Sequence, residues 1–270
     1  MIESYLPNFV CDKFINDPHY RNGHLRVINA LEHRKVVGLH TPQMKEIAKR
    51  INSYGIPGVI PAGVSAIRAF EESNTNDLCH EEIMVWGFLI NLQKSPLHER
   101  MAMLDKYVPV IDNWAVCDAF CSNAKWMAKT DKTILWNYLQ KWFNSKREFE
   151  VRFAIVTSMC YYMNREWLES FFAKINGLEF DKIISEYKRA IPKIETKLKQ
   201  NGDLPRTGYV PGNSPYYVRM GIAWLMATAL AKFPEETRNF ARNSNLPDDI
   251  TRLYIRKARE SFRTREISAI

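Results

Sequence analysis

Trp114 and Asp118 stand four residues apart in the run Ile111-Asp112-Asn113-Trp114-Ala115-Val116-Cys117-Asp118. On a helix, that spacing puts an indole one turn before a carboxylate on the same face. Cys121 and Lys125 extend this stripe, while Val116, Ala119, Phe120, Asn123 and Met127 form a second stripe suited to a core. Asp112 or Asn113 can cap the helix start. Arg152 lies between Val151 and Phe153, and Trp224 lies in the run Tyr216-Tyr217-Val218-Arg219-Met220-Gly221-Ile222-Ala223-Trp224. A guanidinium near Asp118 keeps the acid ionised. Two aromatic faces beside it can hold a planar cation. The alternative is a Trp packed under a neighbouring helix and an Asp that complements the N-terminal dipole. Periodicity by itself favours that packing role.

Other familiar chemistries lack their residues. There is no GxGxxG, no GxxxxGK[ST], no GxSxG and no HExxH. The six histidines all fall in the first hundred residues, none paired at helical zinc-ligand spacing. Cys117 and Cys121 share a helix face but lack a CxxC or a following His pair, so they read as small buried thiols rather than metal ligands. No metal and no organic cofactor is expected. Five scattered cysteines without a basic, apolar leader point to reduced thiols and a cytoplasmic location.

The elements that carry these residues read as helices almost throughout. Thr41 caps and Pro42 opens a segment with Met44, Ile47, Ala48 and Ile51 on one face. Further helices are expected at 64–70, 79–93, 97–108, 112–129, 148–163, 165–175, 216–232, 235–242 and 248–265. Another runs from a Thr130-Asp131 cap to Phe143. Helix pairs begin near residues 41, 79, 113, 149 and 216. Near-equal spacing of the first four indicates a repeat array in which each pair buries its face on its neighbours. The TPR pattern is absent, so the expected fold is an all-α, HEAT-like curved solenoid, one domain over 1–270. The longer last gap reads as an insertion at about 178–214, with part of 181–200 helical. In a solenoid, equivalent helices line one surface, which could bring Trp114, Asp118, Arg152 and Trp224 together across more than a hundred residues.

The formal net charge is +8 on 270 residues, and charged residues make up 25% of the chain. That is an ordinary globular composition tilted towards a polyanionic partner. Residues 252–265 hold six basic side chains against Glu260 alone, either a phosphate stripe or a solvated helix face. Lys182, Lys188, Arg189, Lys193, Lys197 and Lys199 form a second cluster. Trp126, Trp136, Trp142 and Trp167 sit among aliphatics as core residues. The apolar run 84–90 is, like every other here, too short to span a membrane.

Several marks in order resemble the DNA alkylation repair family of HEAT-like glycosylases, the AlkD-like proteins. They are Val37-Gly38-Leu39-His40-Thr41-Pro42, His80-Glu81-Glu82, Asp112 to Asp118, Arg152 before Ala154-Ile155, Tyr216 to Trp224, and the basic ending Tyr254 to Ser261. The resemblance runs from about Tyr20 to the C-terminus. It implies a monomeric, monofunctional glycosylase that excises cationic N3- or N7-alkylated purines, such as 3-methyladenine and 7-methylguanine, from duplex DNA without a base-flipping pocket. It assigns Trp114, Asp118, Arg152 and Trp224 to the active site. Lys125, Arg219, Arg256, Lys257 and Arg259 are the expected DNA contacts. His40 stands where the family often has a basic residue, and Leu225-Met226-Ala227-Thr228 replaces an Arg common after the last Trp. A non-catalytic HEAT-like DNA-binding module is the alternative.

Overall fold

The computed structural model describes residues 1–186 and 215–270. Among these, every regular element is helical, and the β-type pairings are two isolated bridges. The chain divides into two compact units, Met1–Thr130 and Asp131–Ile270. Each carries the HEAT-like arrangement of helix pairs, and the five pairs start within one residue of the expected positions.

The first unit contains α1 (Asp12–Asn16), α2 (Pro18–Ile28), α3 (Thr41–Tyr54), α4 (Gly63–Glu71), α5 (His80–Leu92), α6 (Leu97–Tyr107) and α7 (Trp114–Asn123). Helices α3 and α7 both pack on α5, as do α4 and α6. Surrounded in this way, α5 is buried at every residue from His80 to Ile90, including two carboxylates. Burying them costs little because backbone donors ring them. Glu81 accepts from the amides of Val37, Gly38 and Leu39 at 2.9, 2.7 and 3.3 Å, and Glu82 accepts from those of Ile2 and Cys79 at 2.6 and 2.9 Å. Gly38, at φ 108°, packs so closely on the Phe14 ring that a Cβ would overlap it.

Two details of this unit differ from the sequence reading. Thr41 is the first helical residue of α3 rather than its cap; the Gln43 side chain instead accepts from the His40 amide at 2.8 Å. The expected helix over 112–129 is two elements. Ala124, at ψ 50°, leaves the helix, and Lys125–Lys129 winds as a 3-10 turn. Asn123 bonds the Ala119 carbonyl at 2.7 Å through its side chain, a local bond that competes with helix continuation. Trp126 turns back to donate to Asn91 at 3.0 Å.

The second unit contains α8 (Lys132–Phe143), α9 (Glu148–Tyr161), α10 (Arg165–Asn176), α11 (Tyr216–Lys232), α12 (Pro234–Asn243) and α13 (Asp248–Glu260). Asp131 caps α8 and Asn164 caps α10 through side-chain bonds to Ile134 and Trp167 amides. α9 packs between α8 and α11, and α11 packs on α13. Trp136, half-buried like Trp126 and Trp167, sits in an aromatic cluster with Phe143, Tyr162, Trp167 and Phe171, while Trp142 is buried as expected. The basic helix stops at Glu260, short of the expected 265. Thr264, 1% exposed, folds back to donate to the Ala258 carbonyl at 2.8 Å, so Arg263 and Arg265 follow the helix rather than extend it. In the expected helical stretch 181–200, Phe180–Lys182 forms a single 3-10 turn and Ile184 pairs with Arg147. Residues 187–200, with Lys188, Arg189, Lys193, Lys197 and Lys199, lie outside the described residues. No helix among the described residues is long and apolar enough to cross a membrane.

Candidate active site

A buried polar chain sets the start of α7. The Arg34 Nε donates to Asp112 at 2.6 Å, with the residues 6% and 4% exposed, and Arg34 also reaches the Thr75 and Leu78 carbonyls. Asp112 accepts from the Asn113 side-chain amide at 2.9 Å. Asn113 in turn caps α7 by accepting from the Val116 amide at 3.1 Å. Of the two capping candidates, Asn113 holds the helix and Asp112 holds Arg34. Burial pushes the His80 pKa down, which suits its unprotonated Nδ1 to accept from Asn113 at 3.3 Å.

Val116, Cys117, Phe120 and Cys121 form the buried face of α7. The opposite face presents Trp114, Ala115, Asp118 and Ala119, all half-buried, and the exposed Ser122. Trp114 and Asp118 therefore share this face of α7. Cys121 belongs to the core instead, and Ala119 and Asn123 are only half-buried. Lys125, exposed on the following 3-10 turn, has left the stripe. The two alanines leave little bulk beside the indole and carboxylate. The Trp114 ring is held from α2, its Nε1 donating to the Val27 carbonyl at 2.9 Å.

In the second unit Arg152 is 3% exposed. Its Nη1 donates to the Tyr217 carbonyl at 2.5 Å, and its guanidinium lies 5.9 Å from the Tyr217 ring centre. It packs over Gly221, where a Cβ would lie in van der Waals contact, 3.4 Å from Nη1. Glu148, one turn before Arg152 and 2% exposed, accepts from the Tyr217 amide and from the Ser185 hydroxyl, each at 2.6 Å. Burial pushes the Glu148 carboxyl up to about 7, opposed by these donors and by Arg152. The Glu-x-x-x-Arg spacing was its one signal in the sequence. Nothing there pointed to Arg34 or Val27.

Trp224 is 38% exposed on α11, on the same strip of the helix as the half-buried Met220 and Thr228. Arg219, an expected DNA contact, is paired with Asp249 at 2.6 Å with side chains 12% and 8% exposed, and it lies over the Phe180 ring. It ties α11 to α13, a bond that sequence separation conceals. Arg256 and Lys257 share Glu260 at 3.5 and 3.1 Å on the half-exposed side of α13, and Arg259 is exposed.

No curated protein and no solved structure matches the chain. A family model for DNA alkylation repair enzymes matches residues 14–184. That span is more than half of the chain and includes Trp114, Asp118 and Arg152, while Trp224, Arg219 and α13 lie beyond it. The chain belongs to the DNA alkylation repair enzyme family.

Proposed function

We propose that the chain is a DNA glycosylase that releases cationic N3- or N7-alkylated purines from duplex DNA. The observation that carries this is the Trp114–Asp118 pair on the open, alanine-flanked face of α7. Both side chains are half-buried there rather than closed into the core.

An alkylated purine is already a good leaving group. As its C1′–N bond breaks, the electron pair neutralises the base and positive charge moves to the sugar. Asp118 stabilises the oxocarbenium and accepts a proton from the water that adds at C1′. Trp114 and Trp224 contact the sugar and cationic base through their ring faces. Arg152 orients Asp118 or holds a phosphate. Lys125, Arg256, Lys257 and Arg259 supply the grip on phosphate; Arg219 is committed to Asp249. The protein acts as a monomer, in the cytoplasm, without metal or organic cofactor.

Incubating pure protein with alkylated and unmodified duplexes tests this, measuring both DNA retention and free modified base. Release of 7-methylguanine or 3-methyladenine is expected. Salt-sensitive retention without release at any lesion would instead identify a non-catalytic DNA-binding module.

A further inference from the structure

Glu148 and Arg152 together hold one residue of α11. Glu148 accepts the Tyr217 amide at 2.6 Å while Arg152 donates to the Tyr217 carbonyl at 2.5 Å. Glu148 also accepts from the Val218 amide. Both amides are first-turn donors of α11, which a helix cannot satisfy itself. Pro215, at the N-cap of α11, makes no side-chain cap, so the carboxylate that caps α11 comes from α9. The second carboxylate oxygen takes the Ser185 hydroxyl at 2.6 Å. Trp224 lies two turns beyond Tyr217 on the same helix.

We propose that Glu148 is a positioning residue, fixing the register of α11 on α9 and so setting Arg152 relative to Trp224. The excision half of this rests on the glycosylase reading; the clamp does not.

The groups around Glu148 define what its charge does. Arg152 faces it from α9, Tyr217 from α11 with Tyr216 stacked edge-on beside that ring, and Ser185 from the segment that follows α10. Arg147, Glu150 and Glu186 pair among themselves at the start of α9, and Arg256 and Glu260 of α13 reach Tyr216. A protonated Glu148 can donate to Ser185 while its other oxygen keeps Tyr217. The clamp then survives protonation, but the countercharge to Arg152 is lost. The carboxyl, pushed up to about 7 by burial, makes this change near neutral pH. Glutamine mimics the neutral state, accepting from Tyr217 and donating to Ser185.

The test uses the full chain and its Glu148→Gln and Glu148→Ala variants. Amide exchange reads the clamp, and single-turnover base release with half-saturation by DNA reads the chemistry. Expected are slow exchange at Tyr217 and Val218 in wild type and E148Q, and exchange about tenfold faster in E148A. E148A should lose about tenfold in maximal release rate with half-saturation little changed, and E148Q should recover most of that rate. Half-saturation should weaken as pH rises through about 7 in wild type but not in E148Q. If E148A does not fold, Glu148→Asp carries the same comparison with a smaller loss. Unchanged exchange at Tyr217 and Val218 in the truncated variant would overturn the clamp, whatever the activity. Faster exchange with a wild-type release rate would overturn the positioning role. Release absent from the wild type overturns the glycosylase reading and the excision half with it, and the exchange result then still decides the clamp.

Discussion

Trp114 and Val27 are joined by one hydrogen bond, indole Nε1 to carbonyl oxygen at 2.9 Å, across 87 residues of sequence. The Val27 carbonyl belongs to the last turn of α2, where helical partners run out. The indole therefore finishes α2, and α2 fixes the indole. The Trp114 ring is anchored by an acceptor from an element far away in sequence.

Trp114→Phe keeps an aromatic face but removes that donor. Stability should fall by about 1 kcal/mol, read by denaturant unfolding. Base release should fall by about tenfold, because the ring is no longer held. A variant with unchanged stability and unchanged release would show that the Val27 bond does not fix the ring.

Gly221→Ala separates packing from positioning. The new Cβ would stand 3.4 Å from the Arg152 Nη1 and 3.6 Å from the Ile155 Cγ2. Both are ordinary van der Waals contacts, and helix propensity gains about 1 kcal/mol at such a site. Thermal unfolding should therefore shift upward, with release unchanged because Arg152 keeps its place. A fall in release would contradict this packing of Arg152 on Gly221.

Arg219 and Arg259 should behave differently. Arg219→Ala breaks a partly buried pair with Asp249 and should lower stability while leaving the salt dependence of DNA binding unchanged. Arg259→Ala should leave stability alone and reduce the slope of log affinity against log salt by about 1. Binding titrations at several salt concentrations check both.

This contrast marks what the sequence could and could not disclose. Helix existence was legible because Asn113, Asp131 and Asn164 announce starts and apolar residues recur at helical spacing. That Trp114 and Asp118 share a face of α7 followed from the same spacing. The break at Ala124 was not legible, since it depends on Asn123 and Trp126 finding partners in space. Arg219 read as a cation for DNA because Asp249 is 30 residues away in sequence. Glu81 and Glu82, polar in sequence, are wholly buried because loop amides from distant segments close around them.

The stability of the fold should carry the mark of Glu148. Its carboxyl is pushed up to about 7 by burial, from 4.5 when unperturbed. The folded chain thus holds this proton more tightly than the unfolded one. The resulting stabilisation is full below about 4.5 and is lost as pH rises through about 7. His24 and His80, whose pKa values burial pushes down, act in the opposite sense. Their contribution is present above the ordinary histidine range and is lost as pH falls through their lowered values. The difference between wild type and Glu148→Gln cancels the histidines. Across unfolding series at several pH values, that difference should fall between about 4.5 and 7 and then level off. A difference independent of pH would contradict the raised carboxyl.

The central claim is that one carboxylate, Asp118, does the chemistry. Single-turnover release of 7-methylguanine from alkylated duplex by Asp118→Asn, alongside DNA retention by the same protein, tests it most directly. Retention should stay close to wild type and release should fall by at least about a hundredfold. Undiminished release by the Asn variant would contradict it.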